Sequence, residues 1–151
     1  MADFTKKLES GATLEVTMAS FAEAHKLLKA VAKELETVNL SFGAKGKGLG
    51  DVLSNVGGDE AINTIKNIFV RLIASEEIEA ALWACMERAT YALPGQTVGL
   101  KINRETFEDK RARPDYLPVA KEVLVYTVSP FLQNLSSLFS AIAPKNTGTL
   151  T

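Results

Sequence analysis

Among the residues whose types and spacing bear on chemistry, the stretch GAKGKGLG comes first. Running from Gly43 to Gly50, it holds four of the chain's ten glycines and two lysines. Loops of this composition can wrap phosphates with backbone N–H groups and lysine charge. The phosphate-cradling pattern G-x-x-x-x-G-K-[ST] needs a glycine five residues before its Gly-Lys pair and a hydroxyl directly after it. Around Gly46-Lys47 those positions hold Ser41 and Gly48, and Gly46, Gly48 and Gly50 do not fit G-x-G-x-x-G either. The stretch therefore reads as a flexible solvated loop, about 41–50, open to ordering on a partner.

His25 is the sole histidine and Cys85 the sole cysteine. A metal site or a general base needs companions, and no Cys/His cluster supplies them. His25 follows Phe21 by one helical turn and reads as a half-buried packing residue. Cys85 lies on an apolar stripe between Leu82 and Ala89 and reads as a small core hydrophobe. The acidic pairs Glu76-Glu77 and Glu108-Asp109 read as a helix start and a solvated loop. No catalytic, cofactor or metal site emerges, and the expectation is a non-enzymatic protein.

Composition bounds the rest. A chain of 151 residues fits one domain, long enough to bury roughly 70% of the surface its unfolded chain exposes. Seventeen basic residues against eighteen acidic ones leave no electrostatic footprint for nucleic acid. No apolar run reaches the roughly 18 residues of a membrane span, and MADFTKKLES lacks the apolar core of a signal peptide. A lone cysteine excludes an internal disulfide and suits a reducing cytoplasm. These features predict a soluble intracellular domain.

Elements follow from periodicity. In residues 4–18, Leu14, Val16 and Met18 alternate with Thr13, Glu15 and Thr17, and Ser10-Gly11 supplies the turn of a hairpin. Ser20 and Glu23 form a capping box for a helix whose apolar face is Phe21, Ala24, Leu28, Val31 and Leu35. Leu49, Val52, Leu53 and Val56 predict a short helix stopped by Gly57-Gly58. Asp59 opens another, carrying Ile62, Ile65, Ile68, Phe69, Leu72 and Ile73. Ser75 caps a helix with Ile78, Leu82, Cys85 and Ala89 on its stripe, ending before Pro94-Gly95. Residues 97–102 can add a short strand. Beyond the charged loop NRETFEDKRAR, Asp115 to Val128 is helical, and Pro130 breaks or kinks the chain into a second piece ending near Ile142. The tail, about 143–151, is expected to fray. The predicted fold is α+β and predominantly helical, one small N-terminal hairpin packed with about five or six helices in a single domain, 1–151.

Apolar surface is what this chain has in excess. YLPVAKEVLVYTV, residues 116–128, is apolar on nearly every side, so it must be covered by its own core or by another chain. PFLQNLSSLFSAI aligns Phe131, Leu135, Leu138 and Ile142, with Leu132 and Phe139 beside them, and its opposite side is uncharged. Trp83 falls on the Glu76, Glu79 and Glu87 side of its helix, as a contact residue or packed under a loop. Self-association is expected, as a ring or an open spiral, since a head-to-tail contact closes or propagates.

TFEDKRARPDYLPVAKEVLVYTVSPFLQNL resembles the C-terminal pattern of tail assembly chaperones from long-tailed bacteriophages. In that pattern an acidic-aromatic loop leads to an Asp-Tyr-Leu helix start, an aromatic-Asn-aliphatic triplet, then Pro-Phe and a short amphipathic helix. Asp115-Tyr116-Leu117 and Pro130-Phe131 match it, while Tyr126-Thr127-Val128 carries threonine in place of the asparagine. The opening GATLEVTMASFAEAHKLLKAVAKEL is similar to the family's strand, Ser-Phe and helix, and the middle, 41–100, matches in general character alone. The resemblance implies a non-enzymatic chaperone that binds the tape measure protein, keeps it soluble and helps recruit the tail tube protein. It implies action in the host cell cytoplasm and absence from the mature virion. The partner-binding surface expected from the excess of apolar residues is Tyr116, Leu117, Phe131, Leu132, Leu135, Leu138 and Phe139, with Trp83 as an outlying candidate. A ribosomal frameshift near the end of the reading frame is also implied, for which Lys145-Asn146 can supply the heptamer A AAA AAC. The alternative is a structural head-tail or tail completion protein of a phage.

Overall fold

The computed structural model describes residues 3–41 and 62–132, with side chains of the first segment described to residue 34. The glycine stretch 43–50, the helix expected over 49–56, the first residues of the helix expected to open at Asp59 and everything beyond Leu132 lie outside these residues. An antiparallel hairpin of β1 (Phe4–Lys7) and β2 (Thr13–Val16) opens the chain, as the alternation predicts. Gly11 takes a φ of 95° in its turn, a conformation a side chain would strain. The hairpin is half of a larger sheet. β3 (Thr90–Ala92) pairs with β2, and β4 (Leu100–Lys101) pairs with β3, giving the antiparallel order β1-β2-β3-β4.

One sheet face is buried and the other wet. Leu14, Val16 and Tyr91 point into the core, while Thr5, Lys7 and Glu15 stay exposed. Helices cover the buried face. α1 (Phe21–Ser41) begins at the predicted capping box: the Glu23 N–H donates to Ser20 Oγ at 3.2 Å, and the Ser20 N–H to Glu23 Oε1 at 3.4 Å. Its buried stripe is Ala24, Leu27, Ala30 and Val31, rotated from the one periodicity suggests. Leu27 joins the core, Leu28 is half-buried, and Phe21 is left 71% exposed.

Helical residues 62–67 lead into α2 (Phe69–Ile73), with Ile65, Phe69 and Leu72 buried. α3 (Glu76–Met86) starts where Ser75 Oγ accepts the Ile78 N–H at 3.3 Å. It stops at Met86, short of Pro94, because residues 90–92 leave as β3. No glycine or proline marks that exit. Hydrogen bonding to β2 on one side and β4 on the other decides it.

Two 3₁₀ turns, Thr106–Glu108 and Arg113–Asp115, bring the chain to α4 (Tyr116–Leu132). Pro130 does not end this helix, which runs on to Leu132. Proline costs a helix the bond its N–H would make one turn back, here to the Tyr126 carbonyl, a loss confined to the last turn described. α4 packs against both α1 and α3. Val119, Ala120, Val123, Leu124, Thr127, Val128 and Leu132 are buried there, so the chain itself supplies their cover. Tyr126 stacks on Phe4 with ring centroids 5.2 Å apart, which fastens α4 to β1. No described helix is long and apolar enough to cross a membrane.

Candidate partner-binding surface

Polar hydrogen bonds shape the charged loop before α4. The Asn103 N–H donates to Thr106 Oγ1 at 2.9 Å, and the Glu105 N–H to Asn103 Oδ1 at 2.7 Å. Arg111 grips both Asp109 carboxylate oxygens, at 3.2 and 2.9 Å. Arg113 donates to the carbonyls of Phe107 and Glu108 and to the Glu108 carboxylate. The one large apolar residue of the loop, Phe107, is thereby held over the end of α3.

With the three rings it packs against, Phe107 makes a cluster of four. Trp83 and Tyr116 stack with centroids 6.0 Å apart; Phe107 meets Tyr116 edge-on at 5.3 Å, Trp83 at 6.3 Å, and Tyr91 at 5.9 Å. Offset and edge contacts of this kind satisfy the ring quadrupoles. Arg104 places its guanidinium 4.4 Å above the Trp83 ring, a cation–π contact. Trp83 is thus 7% exposed, packed under the loop. The Tyr116 hydroxyl donates to Glu79 Oε2 at 2.5 Å. Burial, then this carboxylate, pushes the phenol up from 10.0 to about 12.

The outer wall of this cluster is a shallow groove of about 600 Å³ lined by Arg104, Phe107, Glu108, Arg113, Pro114, Tyr116 and Leu117. Leu117 is 44% exposed at its rim. Tyr116 and Leu117 both line this groove, while Trp83, the outlying candidate, is buried beneath Phe107 and Tyr116 and does not line it. Phe131 and Leu132 are elsewhere, about 22 Å along the same helix at 1.5 Å per residue. Leu132 is buried; Phe131 is half-buried, 6.0 Å from the exposed Phe21 ring. Leu135, Leu138 and Phe139 fall outside the described residues.

Two contributors escaped the sequence reading. Phe107 is a lone aromatic in a run of charges, a signal in principle. Helical period places Phe21 on the core face of α1, yet it stacks on His25 at 5.3 Å in the open. His25 is half-buried between Phe21 and Phe131, a packing role. Cys85 is buried, and burial pushes its thiol up from 9.0 to about 11, which disfavours the thiolate. Among the described residues no group of acidic, histidine or cysteine side chains could hold a metal ion. Chemically, the groove offers ring faces, an aliphatic rim and guanidinium edges. Such a surface suits apolar side chains with polar or acidic neighbours. Compared with protein-family models, curated proteins and solved structures, the chain matches none.

Proposed function

We propose that this protein is a non-enzymatic tail assembly chaperone of a long-tailed bacteriophage, binding the tape measure protein, keeping it soluble and helping recruit the tail tube protein. One observation carries the reading. The segment whose sequence resembles the chaperone pattern, 106–135, also supplies Phe107, Tyr116 and Leu117 of the groove. A long tape measure protein is largely helical in this reading, and its apolar helix faces need cover before the tube is built around it. Removing apolar area from water is worth about 25 cal/mol per Å² before association costs, so a few such side chains support a reversible complex.

The proposal includes the finer fold expectation, a small hairpin packed by about five or six helices. It also includes self-association, action in the host cytoplasm, absence from the virion and a frameshift at Lys145-Asn146. Co-expression with the tape measure protein is the test. The tape measure protein should be soluble with this chain and insoluble without it. Equal solubility in both cases would sink the reading. Presence of the chain in purified virions would favour a completion protein instead.

A further inference from the structure

β1 lies at the edge of the sheet, and its outer side is unpaired among the described strands. In an antiparallel ladder alternate residues direct their N–H and C=O groups to the partner strand. The Leu8 N–H donates to the Ala12 carbonyl at 2.8 Å, in register with the Lys6↔Leu14 and Phe4↔Val16 pairs. Those residues therefore face β2, and Thr5 and Lys7 turn their backbone groups outward. Such groups are a template for a further strand.

This edge borders a groove of about 650 Å³ between β1 and the start of α4. Lys6, Lys7 and Leu8 form one side, and Leu117, Pro118 and Lys121 the other. Lys6 is engaged by Glu122 at 3.6 Å, and Asp115 is buried, accepting from Tyr91 and Ser10. The charges left at the rim are Lys7 and Lys121 against Glu9. A second copy of the chain is a poor occupant. Antiparallel pairing of β1 with itself that sets Thr5 opposite Lys7 centres on Lys6 and places lysine opposite lysine.

We propose that the outer edge of β1, unpaired among the described strands, docks an extended segment of a partner protein in which apolar and acidic residues alternate, added as a fifth strand. Its backbone pairs with Thr5 and Lys7. Its inward side chains rest on Leu117 and Pro118, and its outward carboxylates meet Lys7. This inference stands apart from the chaperone reading, because it rests on the strand edge and not on the Phe107 groove.

The probe is an end-capped eight-residue peptide alternating valine and glutamate, titrated into the isotope-labelled full chain at low salt. Saturable binding is expected, with amide shifts centred on Thr5 and Lys7. A peptide alternating valine and lysine should bind at least tenfold more weakly. Thr5→Pro deletes an outward N–H without removing a β1–β2 bond, which edge strands tolerate. It should weaken binding at least tenfold, as should N-methylation of alternate peptide residues. Should Thr5→Pro fail to fold, Lys7→Glu with Lys121→Glu serves, and should exchange the preference between the two peptides. No saturable binding at millimolar peptide, shifts confined to the Phe107 groove, or equal binding by the N-methylated peptide would each overturn the proposal. So would a dimer of the chain alone that Thr5→Pro dissolves, which would assign the edge to a second copy.

Discussion

The Tyr91 hydroxyl donates to Asp115 Oδ2 at 2.5 Å, and Ser10 Oγ donates to the same oxygen at 2.8 Å. One buried carboxylate, 4% exposed, thus joins the β1–β2 turn, β3 and the entrance to α4. Burial, then this carboxylate, raises the Tyr91 phenol above its ordinary range. Asp115→Ala leaves a buried hydroxyl without its acceptor, at a cost of about 1–3 kcal/mol. Asp115→Asn keeps an acceptor oxygen and should cost less. Urea unfolding of both variants and of Tyr91→Phe checks this, and a double-mutant cycle with no coupling between Tyr91 and Asp115 would contradict it.

Cys85 and Thr127 are both buried in the core. The thiol ionises at about 11 in the fold against 9.0 ordinarily. Its folded pKa is the raised one, so its contribution is fully present below pH 9 and is lost as pH rises from 9 to 11. Two pKa units correspond to roughly 2–3 kcal/mol. Thermal midpoints should fall over that window, and Cys85→Ala should flatten the fall. The Tyr116 phenol, raised to about 12, adds a later loss above pH 10.

Glu23 closes the cap of α1 and also accepts from Arg88 at 2.7 Å. Burial pushes its carboxyl up, but the Arg88 guanidinium and Ser20 outweigh this and hold it below 4.5. With the folded pKa depressed, its contribution is present above pH 4.5 and disappears as pH falls through the folded value. Arg88→Leu should make acid unfolding less steep as pH falls from 4.5 through the folded value, because the carboxyl then loses the guanidinium that holds it down. Unchanged acid titration in that variant would show the pair to be energetically silent.

Leu117→Asp changes a rim side chain and should alter stability by no more than about 0.5 kcal/mol. In co-expression it should lower the soluble yield of the tape measure protein several-fold. Trp83, the sole tryptophan, reports the same surface through its fluorescence when a partner covers Arg104 and Phe107. Loss of solubilisation with Phe21→Asp and not with Leu117→Asp would move the contact to the other end of α4.

Truncating Trp83 itself is a different experiment. Trp83→Ala removes the floor from under Phe107, Tyr116 and Arg104, at a cost of about 3–5 kcal/mol. Calorimetry should show a clear fall in melting temperature, so lost partner binding in this variant would say nothing about contact.

Local chemistry was sufficient for much of this architecture. Alternation at Leu14 and Val16 with a glycine turn announces the hairpin, and the Ser20–Glu23 and Ser75 caps place two helix starts correctly, because capping is settled within four residues. Burial of Ile78, Leu82 and Cys85 likewise follows from a stripe on a single helix. What sequence could not decide depends on neighbours far along the chain. Thr90-Tyr91-Ala92 has no breaker before it, and becomes a strand because β2 and β4 offer backbone partners there. Phe21 and Leu27 exchange places relative to the predicted face of α1, since the direction of that face is set by where α3 and α4 pack. Trp83 lies on the charged side of its own helix yet is buried, because a loop that begins twenty residues later folds Phe107 and Arg104 over it. Helical period fixes which residues share a face. Only the tertiary structure decides what covers that face, because cover is a contact between segments and periodicity belongs to one.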